Sequence, residues 1–227
     1  MAIRGICSMA TRGLLDELAA THSQRSGNAV TFLAAGGVDA ARRVAQGERF
    51  DVVALASDAI DRLVAAGHLD AASKVDVVRS NVGAAVRAGA ATPDISTEAA
   101  LRRAVSEAQR IAVSTGPSGT ALLALFERWG IADEVRERLV QASPGVPVGA
   151  LLARGEATLG FQQMSELIGV AGIALLGPLP PEARITTVFS AASAVDSAQS
   201  EAVRGLLDFM ASADSADAKR RHGMTPG

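Results

Sequence analysis

The sequence predicts an α/β fold with parallel-rich sheets, divided into two lobes joined by crossover strands. Three observations predict it. A unit of strand, small-residue turn and helix recurs from Ile3 onward; Asp51–Ala56 (DVVALA) is a continuous apolar run, as a strand buried on both faces requires; and Val82–Arg87 (VGAAVR) is a strand rich in small residues, suited to threading a crowded crossing. With 227 residues and 48% apolar content the chain is long enough for one large or two small domains and shows no sign of disorder.

Taken in order, Ile3–Cys7 is the first strand, Ser8–Thr11 its turn and Gly13–Thr21 its helix, with Leu14, Leu15 and Leu18 on one side. Asn28–Leu33 is the second strand, Ala34–Gly37 its turn, and Val38–Gln46 a helix stopped by Gly47. Asp51–Ala56 leads into a helix over Asp58–Ala66 ended by Gly67. Val82–Arg87 then crosses to the second lobe, Ala88–Pro93 is a loop, and Ser96 caps a helix over Thr97–Ala108.

Arg110–Gly130 (RIAVSTGPSGTALLALFERWG) repeats the theme most clearly: a short apolar strand, the turn formers Thr115–Gly119, then Ala121, Leu122, Leu125 and Phe126 at helical spacing. Asp133–Gln141 reads as a charged, solvated helix, Pro144–Pro147 as a turn, and Val148–Arg154 as a helix closed by Gly155. Strands follow at Ala157–Gln162 and Ile173–Leu176, then the Gly177–Pro181 loop, and Ile185–Phe189 (ITTVF) as the return crossing. Ser197–Ser212 is an amphipathic helix with Val203, Leu206, Leu207 and Met210 inward, and Ala216–His222 a short one. Lobe one is therefore expected over residues 1–82 plus 188–227, and lobe two over 83–187.

Helix starts leave backbone N–H groups without partners and carry partial positive charge, so small residues there let an anion approach the main chain. In a parallel sheet these turns lie at the carboxyl ends of the strands, where ligands bind. The ordinary alternative for Thr115–Gly119 is a strand-to-helix turn with Ser118 as N-cap. Composition narrows the partners. The 22 basic and 24 acidic residues are scattered, which argues against nucleic acid, and 3% aromatics with no Tyr leave little to stack a base or sugar on. A single cysteine, Cys7, excludes an internal disulfide and reads as a small buried strand residue. His22, His68 and His222 share no metal-ligand spacing, so no metal and no cofactor are expected. No apolar run approaches the ~20 residues of a membrane span. No signal-peptide pattern opens the chain, so a cytoplasmic location is expected if it is full length and a periplasmic one if it has been processed.

The order of these units, with DVVALASDAIDRLVAAG, the strand ending in AVRAG, GPSGTALLALFERWG, GVPVGALLARGEATLGF and FMASADSADAKRRHGM, resembles the molybdate-binding family of type II periplasmic solute-binding proteins. The likeness spans essentially the whole chain and is most specific at Pro117-Ser118-Gly119 and Leu151–Phe161. It implies two α/β lobes holding a small oxyanion through backbone N–H and hydroxyl groups, hinge closure near Gly83 and Thr187, and an ABC permease as partner if the protein is exported. By that resemblance Ser8 supplies a hydroxyl and an amide, Gly37 and Ser118 an amide each, and Gly145 or Val146 a fourth; the adjoining Gly36 and Gly119, with Arg87 and Gln163, complete the expected ligand-binding set.

Two departures bear on the ligand. Gly37 stands where the family commonly has a second Ser, enlarging the site, and Gln163 stands where a Tyr often faces the ligand. A Gln amide both donates and accepts, which suits a carboxylate as well as an oxyanion. Phe161–Leu167 with Gly177–Pro180 also resembles a branch of the superfamily that includes aconitate isomerase, an enzyme moving a double bond within a tricarboxylate. Arg87 is a candidate clamp on a carboxylate, Arg79 a weaker one, and Glu166 a candidate base whose ordinary reading is a solvated turn carboxylate or the partner of an Arg. A sensor half of a transcription regulator would need a helix-turn-helix segment, and none is seen.

Overall fold

A computed structural model describes residues 2–143 and 145–227, so Met1, expected at the head of the first strand, and Pro144, expected in a turn, lie outside the described residues. The backbone divides into two compact units, Met1–Ser80 with Thr187–Gly227, and Asn81–Thr186.

In unit one, β1 (Ala2–Ser8) passes through a 3₁₀ turn at Met9–Thr11 into α1 (Arg12–Ser26), which ends on left-handed Gly27 (φ +74°). β2 (Ala29–Ala35), α2 (Gly37–Ala45), β3 (Val52–Ala56) and α3 (Ser57–Ala65) follow, then β4 (Val75–Arg87), whose first half stays in this unit. β1 pairs in parallel with both β2 and β3. Alternation sorts the side chains to the two faces of this sheet. Ile3, Cys7, Val52 and Ala54 pack with Leu14, Leu15 and Leu18 of α1, while Ile6, Val53 and Leu55 pack with Ile60 and Leu63 of α3. Burial pushes the Cys7 thiol up to about 12, leaving it an inert packing residue.

Unit two holds α4 (Glu98–Glu107), β5 (Ile111–Val113), α5 (Pro117–Arg128), α6 (Ala132–Val135), β6 (Leu139–Gln141), α7 (Val148–Ala153), β7 (Leu159–Gln163), α8 (Met164–Leu167) and β8 (Ile173–Pro178). β5 is flanked in parallel by β6 and β7, and the second half of β4 runs antiparallel to β7 and β8. Phe161 on one face of β7 meets Phe126 of α5 edge-on at 6.3 Å. On the other face, a Cβ at Gly160 would stand 2.6 Å from Val148 and 2.9 Å from Leu152, so glycine is what lets α7 lie flat on the strand.

The chain then returns to unit one through β9 (Thr186–Ser193), α9 (Ser200–Ala211), α10 (Ala216–Arg221) and β10 (Met224–Pro226). β9 runs antiparallel to β3, and β10 pairs with Val78–Ser80. Val203, Leu206, Leu207 and Met210 of α9 are all buried, as their spacing predicts.

Three expectations are corrected. Asp133–Gln141 is not one helix: it is the short α6, a 3₁₀ turn at Arg136–Arg138 and β6, because Leu139–Gln141 find a strand partner in β5. Val82–Arg87 is only the second half of β4. The N-cap of α4 is Thr97, not Ser96, since the Thr97 hydroxyl accepts from the Ala100 N–H at 3.2 Å. Among the described residues no helix is long and apolar enough to cross a membrane.

Candidate functional site

In unit one the register sets Ser8 opposite Ala35, so the turn after β1 and the turn after β2 are neighbours at the carboxyl edge of the sheet. Ser8 is nearly buried; its hydroxyl accepts from the Ala10 N–H at 3.2 Å, while Thr11 donates its hydroxyl proton to the Ser8 carbonyl at 3.1 Å. Gly36 caps α2 without a side chain and Gly37 is its first residue; a Cβ on either would meet nothing within 4 Å. No side chain therefore covers the start of α2. On the other side of β1, α3 starts at Ser57 with Ala56 as a cap that offers no side chain. Three helix starts therefore share one edge, and the third is absent from the sequence-derived site. Asp39 and Asp58 in those first turns are exposed and ion-paired with Arg42 and Arg62.

In unit two the corresponding edge is formed where β5 and β7 end. Gly116, not Ser118, is the cap of α5; Pro117 occupies the first helical position, where its missing N–H costs nothing, and Ser118 follows it. The hydroxyls of Ser118 and Ser114 lie 3.1 Å apart across this turn. Ser114 is absent from the sequence-derived site, although its i, i+4 spacing to Ser118 across a tight turn is a readable signal. Gly119 is fixed by sterics, since a Cβ there would fall 1.9 Å from the Ser114 carbonyl oxygen. Its own N–H is already bonded to the Gly116 carbonyl at 3.0 Å, so only Ser118 of this pair keeps an amide to offer.

Gly145 adopts φ +81°, and the Val146 N–H is bonded to the Ser143 carbonyl at 2.9 Å, which removes Val146 as a free amide donor. Gln163 is the buried last residue of β7, opposite Val82. Its neighbour Gln162 shares a face with Gly160 and uses both ends of its amide. Its Oε1 accepts from the Val148 N–H at 2.8 Å and its Nε2 donates to Glu166 Oε1 at 2.9 Å. Glu166 is partly buried, and its carboxylate is bonded to an amide, not paired to an Arg. Burial, opposed by the Gln162 bond, pushes its carboxyl up to about 7. Beside it the buried Ser165 hydroxyl has no hydrogen-bond partner among the described residues.

Arg87 does not join this group. β4 runs antiparallel to β7, Val82 facing Gln163 and Ala85 facing Gly160, so five residues past Val82 the strand has reached the opposite edge of the sheet. Arg87 is exposed there, beside Gly155 at the far end of α7. Arg79 is exposed in unit one opposite Thr225. His222 pairs with Glu17 at 2.9 Å, and among the described residues no group of three or more His, Cys, Asp or Glu side chains is arranged to hold a metal.

A family model described as bacterial extracellular solute-binding protein matches residues 3–225. The chain belongs to that family. Within it, this solute-binding protein is 42% identical over 185 residues to an aconitate isomerase from Pseudomonas sp, covering 81% of this chain and 70% of the relative. Its fold superposes on the Azotobacter vinelandii periplasmic molybdate-binding protein with a TM-score of 0.81 at 19% identity, over 99% of both chains. The sulfate-binding protein from Mycobacterium tuberculosis H37Rv gives 0.81 at 17% identity over 100% of this chain and 87% of that one. These likenesses establish a type II periplasmic-binding-protein fold, and the solute-binding family supplies the general role of holding a small ligand.

Proposed function

We propose that this family member binds an unsaturated polycarboxylate and moves its double bond, as an aconitate isomerase does. The observation that carries the reading is the 42% identity to an aconitate isomerase over 81% of the chain. The chemistry of the two sheet edges supports it. Helix starts with small residues and hydroxyls at Ser8, Gly36, Gly37, Ser57, Ser114 and Ser118 are suited to carboxylate oxygens, and the open space at Gly36 and Gly37 suits a ligand larger than a tetrahedral oxyanion. Moving an allylic double bond requires donors that stabilise enolate-like charge and a group that carries one proton from carbon to carbon. No redox partner enters the balance, because the bond shift conserves atoms and electrons.

A second reading, in which the protein only holds a small anion for presentation to an ABC permease, is favoured by the TM-score of 0.81 to a molybdate-binding protein. The two readings part in one experiment. Incubating the protein with trans-aconitate and following the olefinic and methylene signals by proton NMR is expected to show the cis isomer growing to a constant ratio. A ligand-induced rise in melting temperature without conversion leaves the binding-only reading. Neither conversion nor a rise sinks both for this ligand.

A further inference from the structure

The proposed reaction needs a proton carrier, and the carboxylates at the sheet edges are not equivalent. Asp39 and Asp58 are exposed, each spent on an arginine one turn along its own helix, Asp58 on Arg62 at 2.9 Å. Glu166 differs in every respect: it follows directly on the carboxyl end of β7, it makes no ion pair among the described residues, and its one hydrogen bond comes from the neutral Gln162 amide at 2.9 Å.

The elements packed against α8 are β7, α7 and β8, whose sequences LGFQQ, VGALLA and IALLGP hold no titratable side chain. β4, which reaches α8 where Gly83 lies against Met164, carries Asp76 and Arg79 in its unit-one half and Arg87 at the far edge. The Gln162 amide orients the carboxyl from one side: Oε1 is pinned by the Val148 N–H at 2.8 Å, so Nε2 must point at Glu166. One oxygen is thus tethered and the other left for a substrate proton.

We propose that Glu166 is the base of this reaction, removing a proton from the substrate methylene and returning it to the other end of the allylic system. In the step the C–H bond breaks to a Glu166 oxygen and its electron pair spreads over the allyl and adjoining carboxylate. The O–H bond then breaks as a new C–H bond forms at the former olefinic carbon. A carboxyl held near 7 by burial can run both halves at neutral pH.

This inference rests on the isomerase reading, and the test keeps the two apart. In deuterium oxide, wild-type protein with trans-aconitate is expected to place solvent deuterium in the product methylene in those turnovers where the Glu166 proton exchanges with solvent before its return, with kcat/KM falling on the acid side of about pH 7. Glu166→Gln keeps an acceptor for Gln162 and should lower both conversion and exchange at least ~10²-fold while the ligand-induced melting shift persists. Glu166→Asp should retain the acid limb with reduced kcat, and carries the test if the Gln variant does not melt cooperatively. Glu166→Gln activity within tenfold of wild type, or an acid limb that persists unchanged in Glu166→Gln, overturns the role of Glu166. Loss of the ligand-induced shift in both variants also overturns it, by making Glu166 structural. An inactive wild type instead overturns the isomerase reading.

Discussion

Gly119→Ala is expected to lower unfolding free energy by about 3 kcal/mol or more, read as a fall in the urea midpoint. The added Cβ would lie 1.9 Å from the Ser114 carbonyl oxygen and 2.9 Å from its carbon, both backbone atoms at the end of β5. Backbone cannot swing aside as a flexible side chain does, so relief requires α5 to lift from the strand. That helix carries Leu122, Leu125 and Phe126 into the core of unit two, and moving it loosens all three. The Ser114–Ser118 hydroxyl contact would break with it. Gly205→Ala is the matched control. It lies on the exposed side of α9, where a Cβ meets nothing within 4 Å, and should raise stability by about 0.5–1 kcal/mol through helix propensity alone. Equal effects of the two substitutions would contradict the steric account.

Lys219→Met is expected to stabilise the protein by ~1–3 kcal/mol at neutral pH, the cost of burying a polar group with no partner. Lys219 on α10 is fully buried, and its Nζ has no hydrogen-bond partner among the described residues. Desolvation lowers its pKa from the ordinary 10.5. The sign follows from proton counting. Between the lowered folded value and 10.5 the unfolded chain binds a proton that the folded chain does not, so wild-type stability gains with rising pH across that window. Urea midpoints at neutral and alkaline pH should show that gain in the wild type and a smaller one in Lys219→Met. A variant less stable than wild type at neutral pH would contradict this.

How much of this molecule its sequence reveals depends on whether a feature is local. The apolar runs of β1, β3 and β5, and the inward face Val203, Leu206, Leu207 and Met210 of α9, are local patterns and are read correctly. β6 is not, because Leu139–Gln141 has only three residues after a charged segment, too few for a period to show, and it becomes a strand by pairing with β5. Of the site, the strand-to-helix turns at Ser8, Gly36–Gly37 and Ser118 are legible as turns. Strand direction is not, and it is direction that carries Arg87 to the opposite edge. Hydrogen bonding within turns is equally hidden, and it occupies the Gly119 and Val146 amides. The surroundings of Glu166 come from α7, β7 and β8 together, so its enclosure could not be read from neighbours in the chain.

The central claim is that helix starts at the carboxyl ends of the strands supply the donors for a carboxylate ligand. A nitrogen–proton correlation titration with trans-aconitate tests it most directly. The account predicts the largest amide shifts at Ser8, Gly37, Ser57 and Ser118, with Arg79 and Arg87 unmoved. Saturable shifts that spare those four amides and gather elsewhere, as around the arginine-lined groove of Arg102, Arg103 and Arg128, would contradict it.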